Sequence, residues 1–343
     1  MPFRVWLRLT YGAMALLGGA LFAVVVTLAN REEAPAASSA LDFRPVAYLP
    51  PSATLVDPPS VPADQVGGEM DDGESVLGVV VDGEARAYPV EMINRISREV
   101  LNDTLGGRDV AVTWCSICQT GLAFDRRVAG RRLTFHVSGE LWADNLIMVD
   151  DQTGSRWSQI LGKAMDGPMK GTSLEPIPAT VSDWGHWRRA HPGTTVLRWD
   201  RSSRQAPSNA YRFAARTGDL FMLGVNWGGH ARGWTLDRLR AHPVINDTIG
   251  GRPVLVTFDD DSATARLFAR EVDGRAMTFR ARGRDLVDAE TGSRWDRLTG
   301  RAEEGALKGR SLDPIPGAVI YREKWSRFFP ETEFWVPEDG NGG

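Results

Sequence analysis

Repetition constrains this chain before anything else does: its second half restates its first, so whatever one copy folds into the other must fold into as well. The first copy covers residues 77–197 and the second 223–335. Leu77-Gly78-Val79 returns as Leu223-Gly224-Val225, and Asn102-Asp103-Thr104-Leu105-Gly106-Gly107-Arg108 as Asn246-Asp247-Thr248-Ile249-Gly250-Gly251-Arg252. Thr153-Gly154-Ser155-Arg156-Trp157 returns as Thr291-Gly292-Ser293-Arg294-Trp295. Lys170-Gly171, Leu174 and Pro176-Ile177-Pro178 pair with Lys308-Gly309, Leu312 and Pro314-Ile315-Pro316, and Trp187 and Pro192 with Trp325 and Pro330. At about 150 residues per domain, a chain of 343 residues has room for two such units, each with its own core.

Locally the copies read as β-rich. Short apolar or alternating runs at 79–81, 110–113, 133–137 and 146–149 are bounded by turn pairs such as Asp82-Gly83 and Gly106-Gly107. Short helices are expected at 90–99, at 182–190 with Ser182 or Asp183 as cap, at 236–241 and at 322–329. The expected fold class is α+β and β-rich, two homologous units after an N-terminal transmembrane helix, with no βαβ alternation. The twelve tryptophans, several of them repeated between copies, read as core packing rather than a sugar-stacking platform.

Duplication also supplies an internal control. Residues kept in both copies serve the shared fold, and residues found in one copy are candidates for chemistry. The turns, Trp157 with Trp295, and the Pro-Ile-Pro segments therefore read as structural. Cys115-Ser116-Ile117-Cys118 meets Asp259-Asp260-Asp261-Ser262, His136 meets Arg280, and the stretch around Leu141 to Leu146 has no counterpart because six residues are missing. The first copy alone carries the thiols, the imidazole at position 136 and the extra loop, so the functional site is expected there.

The amino terminus sets the compartment. Arg4 and Arg8 precede a stretch from Leu9 to Ala29 without a charged residue, ended by Arg31, Glu32 and Glu33. Such a segment crosses a hydrocarbon core about 30 Å thick, and its positive flank keeps the short N-terminus in the cytoplasm. Residues 1–30 read as a membrane anchor with the lipid bilayer as partner; a signal peptide cleaved near Ala29 or between Ala34 and Ala40 is the competing reading. Both put the bulk of the chain in the periplasm or outside the cell. Residues 31–63, rich in Ala, Ser and Pro, read as a tether with an extended lead-in, 64–200 as the first copy and 201–343 as the second, degenerate copy. With 40 Lys and Arg against 44 Asp and Glu, the chain lacks the basic excess that a phosphate backbone requires, and no nucleic-acid partner is expected.

Three readings of Cys115 and Cys118 stay open. A metal site takes both thiolates and His136, with Met148 or Asp144, a set suited to copper(I) or zinc. A redox site cycles between dithiol and disulfide. An inert local disulfide, or two small buried side chains, is the third. A thioredoxin domain is disfavoured, because the Gly-containing, alternating run after Cys118 predicts a strand where that fold needs a long helix. An enzyme using His136 or Asp144 as acid or base is the alternative with different chemistry, Asp144 being favoured among Glu140, Asp144, Asp150 and Asp151 because its loop is unique. A ligand-binding or assembly module is the alternative without chemistry.

Gly83-Glu84-Ala85-Arg86-Ala87-Tyr88-Pro89, Asn102-Asp103-Thr104, the segment from Val112 to Arg126, Val137-Ser138-Gly139 and the segment from Asp150 to Gln159 resemble the bacterial and archaeal family catalogued as DUF3179. The resemblance is strongest in the first copy. It implies an exported or membrane-associated protein and brings no established activity. This chain has Ser116 where relatives commonly have Pro, and Ser97-Arg98-Glu99 where many have Trp-His-Glu.

Overall fold

Alternating apolar runs between turn pairs become short antiparallel hairpins, stacked in the same order in each copy. In the computed structural model the described residues are 41–95, 97–198 and 220–337. The expected anchor at 9–29 and the expected boundary near residue 200 lie outside them. Among the described residues no helix is long and apolar enough to cross a membrane.

In the first copy, Ala179–Asp183, Ser75–Val81, Glu84–Pro89, Thr195–Leu197 and Ser60–Pro62 form one sheet. Glu175–Ile177, Thr120–Asp125, Arg108–Cys115 and Val100–Leu105 form a second, and Val46–Ala47, Phe135–Trp142, Asn145–Asp150, Arg156–Ser158 and Lys163–Asp166 a third. The second copy repeats the plan with shorter or fewer strands, such as Phe279–Arg282, Asp285–Asp288, Arg294–Trp295 and Ala302–Glu304. The expected β-rich duplication is therefore observed. Part of the expected tether also belongs to the fold, since Val46 and Ala47 pair with Leu141 and Glu140, and Ser60–Pro62 pairs with Thr195–Leu197.

The repeated motifs have concrete tasks. A side chain at Gly78 or Gly224 would collide with the Trp187 or Trp325 ring, so each glycine is the seat of the repeated tryptophan. Asp150 accepts from Thr153 N at 2.6 Å and Trp157 Nε1 at 2.9 Å; Asp288 does the same for Thr291 and Trp295 at the same distances. Asn102 and Asn246 lie in strands before the Gly-Gly turns and clamp the backbone of Phe135 and Phe279 through paired amide hydrogen bonds.

The expected helix at 90–99 is one turn, Val90–Ile93. It stops at Asn94, whose backbone leaves helical geometry with φ -80° and ψ 52°, and by residue 99 the chain is in sheet pairing, with Trp114 N donating to Glu99 O at 2.8 Å. The other helices are Trp184–Ala190, capped by Asp183, Leu236–Ala241 and Arg322–Phe328.

The copies share one core. Leu77, Val112 and Trp114 cluster with Leu223, Val256 and Trp234. Each copy also lays the strand before its last helix against the other's central hairpin: Tyr321 N donates to Cys118 O at 3.3 Å, and Thr264 Oγ1 donates to Ser182 Oγ at 2.9 Å. Two equivalent corners result, one holding the cysteines and one holding Asp259 and Ser262.

Candidate functional site

Cys115 ends one strand and pairs with Thr120, which begins the next, so the C-x-x-C is the loop of a hairpin, as the alternation after Cys118 predicts. Gln119 closes that loop with φ +52°. The thiols are free and buried, Cys115 being 1% and Cys118 0% exposed. Cys118 N donates to Cys115 Sγ at 3.3 Å.

The extra length unique to the first copy covers this loop. Its two-residue turn at Ala143 and Asp144, with φ +48° and +65°, carries the Asp144 carbonyl over the sulfurs, 3.1 Å from Cys118 Sγ and 3.8 Å from Cys115 Sγ. Asp144's carboxylate accepts from Lys324 Nζ and Arg327 Nη1, both at 2.8 Å and both from the second copy's helix. Behind the sulfurs, Asn145 Nδ2 lies 3.5 Å from Cys118 Sγ and donates to Gln159 Oε1 at 3.0 Å, and Gln159 Nε2 in turn donates to Thr113 Oγ1. The hydrogen bond shared with Cys115, then burial, push the Cys118 thiol well above its ordinary value, while Asn145 and Lys324 pull the other way.

Glu99 is the second buried ionisable group at this loop. Only 6% exposed, it accepts from Ser116 N at 3.0 Å. Burial raises its carboxyl above the usual range, and the Ser116 hydrogen bond offsets part of that. Glu99 and Cys115 line a crevice of about 20 Å³, room for one water, between Tyr48, Leu49, Val137 and Leu141.

The remaining sequence candidates lie elsewhere or act otherwise. His136 pairs across the hairpin with Val149, and its Nδ1 meets Asp151 Oδ1 at 2.7 Å. Alternation along the strand turns it away from Phe135, which is the residue that packs with the cysteines. The expected ligand set of Cys115, Cys118 and His136 is thus not brought together. Among the described residues no three His, Cys, Asp or Glu side chains are grouped to hold a metal such as copper or zinc. Asp144, expected as acid or base, presents its backbone carbonyl to the thiols while its carboxylate ties the hairpin tip to the second copy. Trp142 is buried edge-on against Phe43 and Phe328.

Sequence reasoning missed Glu99, Lys324 and Arg327. Comparing copies would have flagged Glu99, because Pro243 stands in its place, and Lys324, because His186 does. Arg327 is matched by Arg189 and leaves no such signal.

These features define a class: a duplicated β-rich protein in which one copy buries a dithiol at a hairpin loop and the other replaces it with carboxylate and hydroxyl. A family model described as a protein of unknown function, DUF3179, matches residues 51–221 and again residues 216–341. The chain belongs to the DUF3179 family and carries its domain twice. No curated protein and no solved structure matches it.

Proposed function

We propose that the first copy is a dithiol–disulfide exchange domain, held outside the cytoplasm by an N-terminal membrane anchor. The observation that carries this reading is the asymmetry of the sulfur pair. Cys115 faces the crevice and accepts the hydrogen bond from Cys118 N, whereas Cys118 lies behind it with its thiol favoured in the protonated form. This is the division between an attacking and a resolving cysteine. The uncharged stretch at 9–29 supports the anchor and the export.

Cys115 sulfur, its proton passed to Glu99, attacks a disulfide of a partner and releases one partner sulfur as thiolate, which takes up a proton. Cys118 sulfur then attacks Cys115 sulfur in the mixed disulfide, and its proton leaves with the second partner thiol. One dithiol and one disulfide become one disulfide and two thiols. Both sulfurs are covered, so the tip at Asp144 must lift first, and its pairs with Lys324 and Arg327 control that step.

Incubation of the full chain with oxidised glutathione, followed by mass spectrometry, tests the reading. Cys118→Ser is expected to hold glutathione on Cys115, and Cys115→Ser to hold none. Thiols that resist oxidised glutathione in the folded chain and react only in denaturant would make the pair a packing element and overturn the proposal.

A further inference from the structure

The thiol corner has a counterpart where the first copy's terminal helix faces the second copy's hairpin loop. The parts correspond: loop 260–263 for loop 116–119, the hairpin of Phe279–Arg282 and Asp285–Asp288 for the longer one, and Trp184–Ala190 for Arg322–Phe328. The hairpin length differs. The register from Phe279 to Asp288 is six residues shorter than that from Phe135 to Asp150.

That deletion leaves a hole. In the thiol corner Leu146 and Met148 of the long hairpin join Met222, Ile320 and Trp325 of the opposite copy in one apolar cluster. In the counterpart corner the corresponding layers stay apart, Phe279, Leu286 and Trp295 in one cluster and Val76, Trp184 and Trp187 in another. A cavity of about 810 Å³ lies there, in the size range of small-molecule sites, with His186, Arg189, Asp259, Ser262, Arg297 and Arg301 on its walls.

The deletion also removes a carboxylate. Asp144 occupies the space between Lys324 and Arg327, and the positions equivalent to those two cations are His186 and Arg189. The acids on the cavity wall are engaged otherwise. Asp259 accepts from Ser262, Asp296 accepts from Leu298 N and Thr299, Glu303 pairs with Arg294, and Asp285 faces Arg282. Among the described residues Arg189 and Arg301 have no carboxylate partner. Arg297 is set against Asp259 and Asp285 and donates through Nη2 to Gly283 O and Asp285 O, while its buried Nε has no hydrogen-bond partner. A guanidinium offers paired donors that match a carboxylate.

We propose that this cavity binds a small carboxylate-bearing molecule, whose carboxylate stands to Arg189 as Asp144 stands to Arg327. The site is separate from the thiols and is filled whether they are reduced or oxidised.

Titration calorimetry of the full chain with citrate is the test, with inorganic phosphate as a second probe. Citrate is expected to saturate one site, about tenfold more weakly in Arg189→Ala, while the surface variant Arg131→Ala matches the parent. Arg189 is exposed, so its loss leaves the fold intact, and a thermal melt of each variant checks this. Absence of citrate binding, equal affinity in Arg189→Ala, or preference for phosphate would each overturn the proposal.

Discussion

The hairpin loops at Cys115–Cys118 and Asp259–Ser262 are one turn closed by two chemistries. Cys118 N donates to a sulfur at 3.3 Å, Ser262 N donates to a carboxylate oxygen at 2.8 Å, and the last loop residue has φ +52° in one and +54° in the other. The fold therefore needs an acceptor at the first position and does not need sulfur. An aspartate there closes the turn with a shorter bond, so turn geometry gives no reason for two cysteines. Around the loops the copies diverge in the same sense. The thiols are roofed by a long hairpin pinned to the opposite copy, whereas the carboxylate and hydroxyl open onto a cavity.

The largest expected effect separates the two copies by burial. Asn102 and Asn246 make the same amide clamp, yet Asn102 also donates to Leu55 O at 2.9 Å and is buried beneath the lead-in, while Asn246 is exposed. Asn102→Ala should cost about 2–3 kcal/mol, because buried groups lose their partners, and Asn246→Ala about 1 kcal/mol, because water replaces the lost bonds. Equal losses in urea melts would mean that the lead-in is not what distinguishes the copies.

Next comes the roof. Removing both cations with Lys324→Ala and Arg327→Ala leaves the Asp144 carboxylate without them, and a partly exposed network of this kind contributes about 1 kcal/mol. Alkylation of the thiols by iodoacetamide under native conditions should then run about fivefold faster. An unchanged rate would show that the hairpin tip stays closed without its ion pairs.

The smallest effect concerns Glu99, whose place in the second copy is taken by Pro243. Its carboxyl binds a proton more tightly in the folded chain than in the unfolded one. Its contribution to stability is therefore full below the ordinary carboxyl range and is lost as pH rises through the raised folded value. Glu99→Gln should remove that pH-dependent component from the melts and shift the pH profile of thiol oxidation. If melts and oxidation keep the parent pH dependence, Glu99 carries no proton at this site.

Much of the fold was legible because it rests on short-range rules. Alternation and Gly-Gly pairs mark hairpins, and the helices at 184–190, 236–241 and 322–328 lie where capping and periodicity put them. The helix expected at 90–99 is cut to its first turn, because Asn94 leaves helical geometry and the chain from residue 99 onward pairs as a strand. Comparing copies pointed to the cysteine loop, the extra hairpin and His136; the structure lays the hairpin over the thiols and pairs His136 with Asp151 instead.

From the sequence alone follow the duplication, the β-rich class, the turns, and the copy that carries the thiols, since each is written in local pattern or in the difference between two aligned patterns. Only the tertiary structure decided that Lys324 and Arg327 reach across 180 and 183 positions to Asp144, that Glu99 stands beside Ser116, and that six missing residues become a cavity. Those outcomes depend on how one copy's sheet and helix settle on the other's hairpin, where packing and charge pairing act between residues that no spacing along the chain connects.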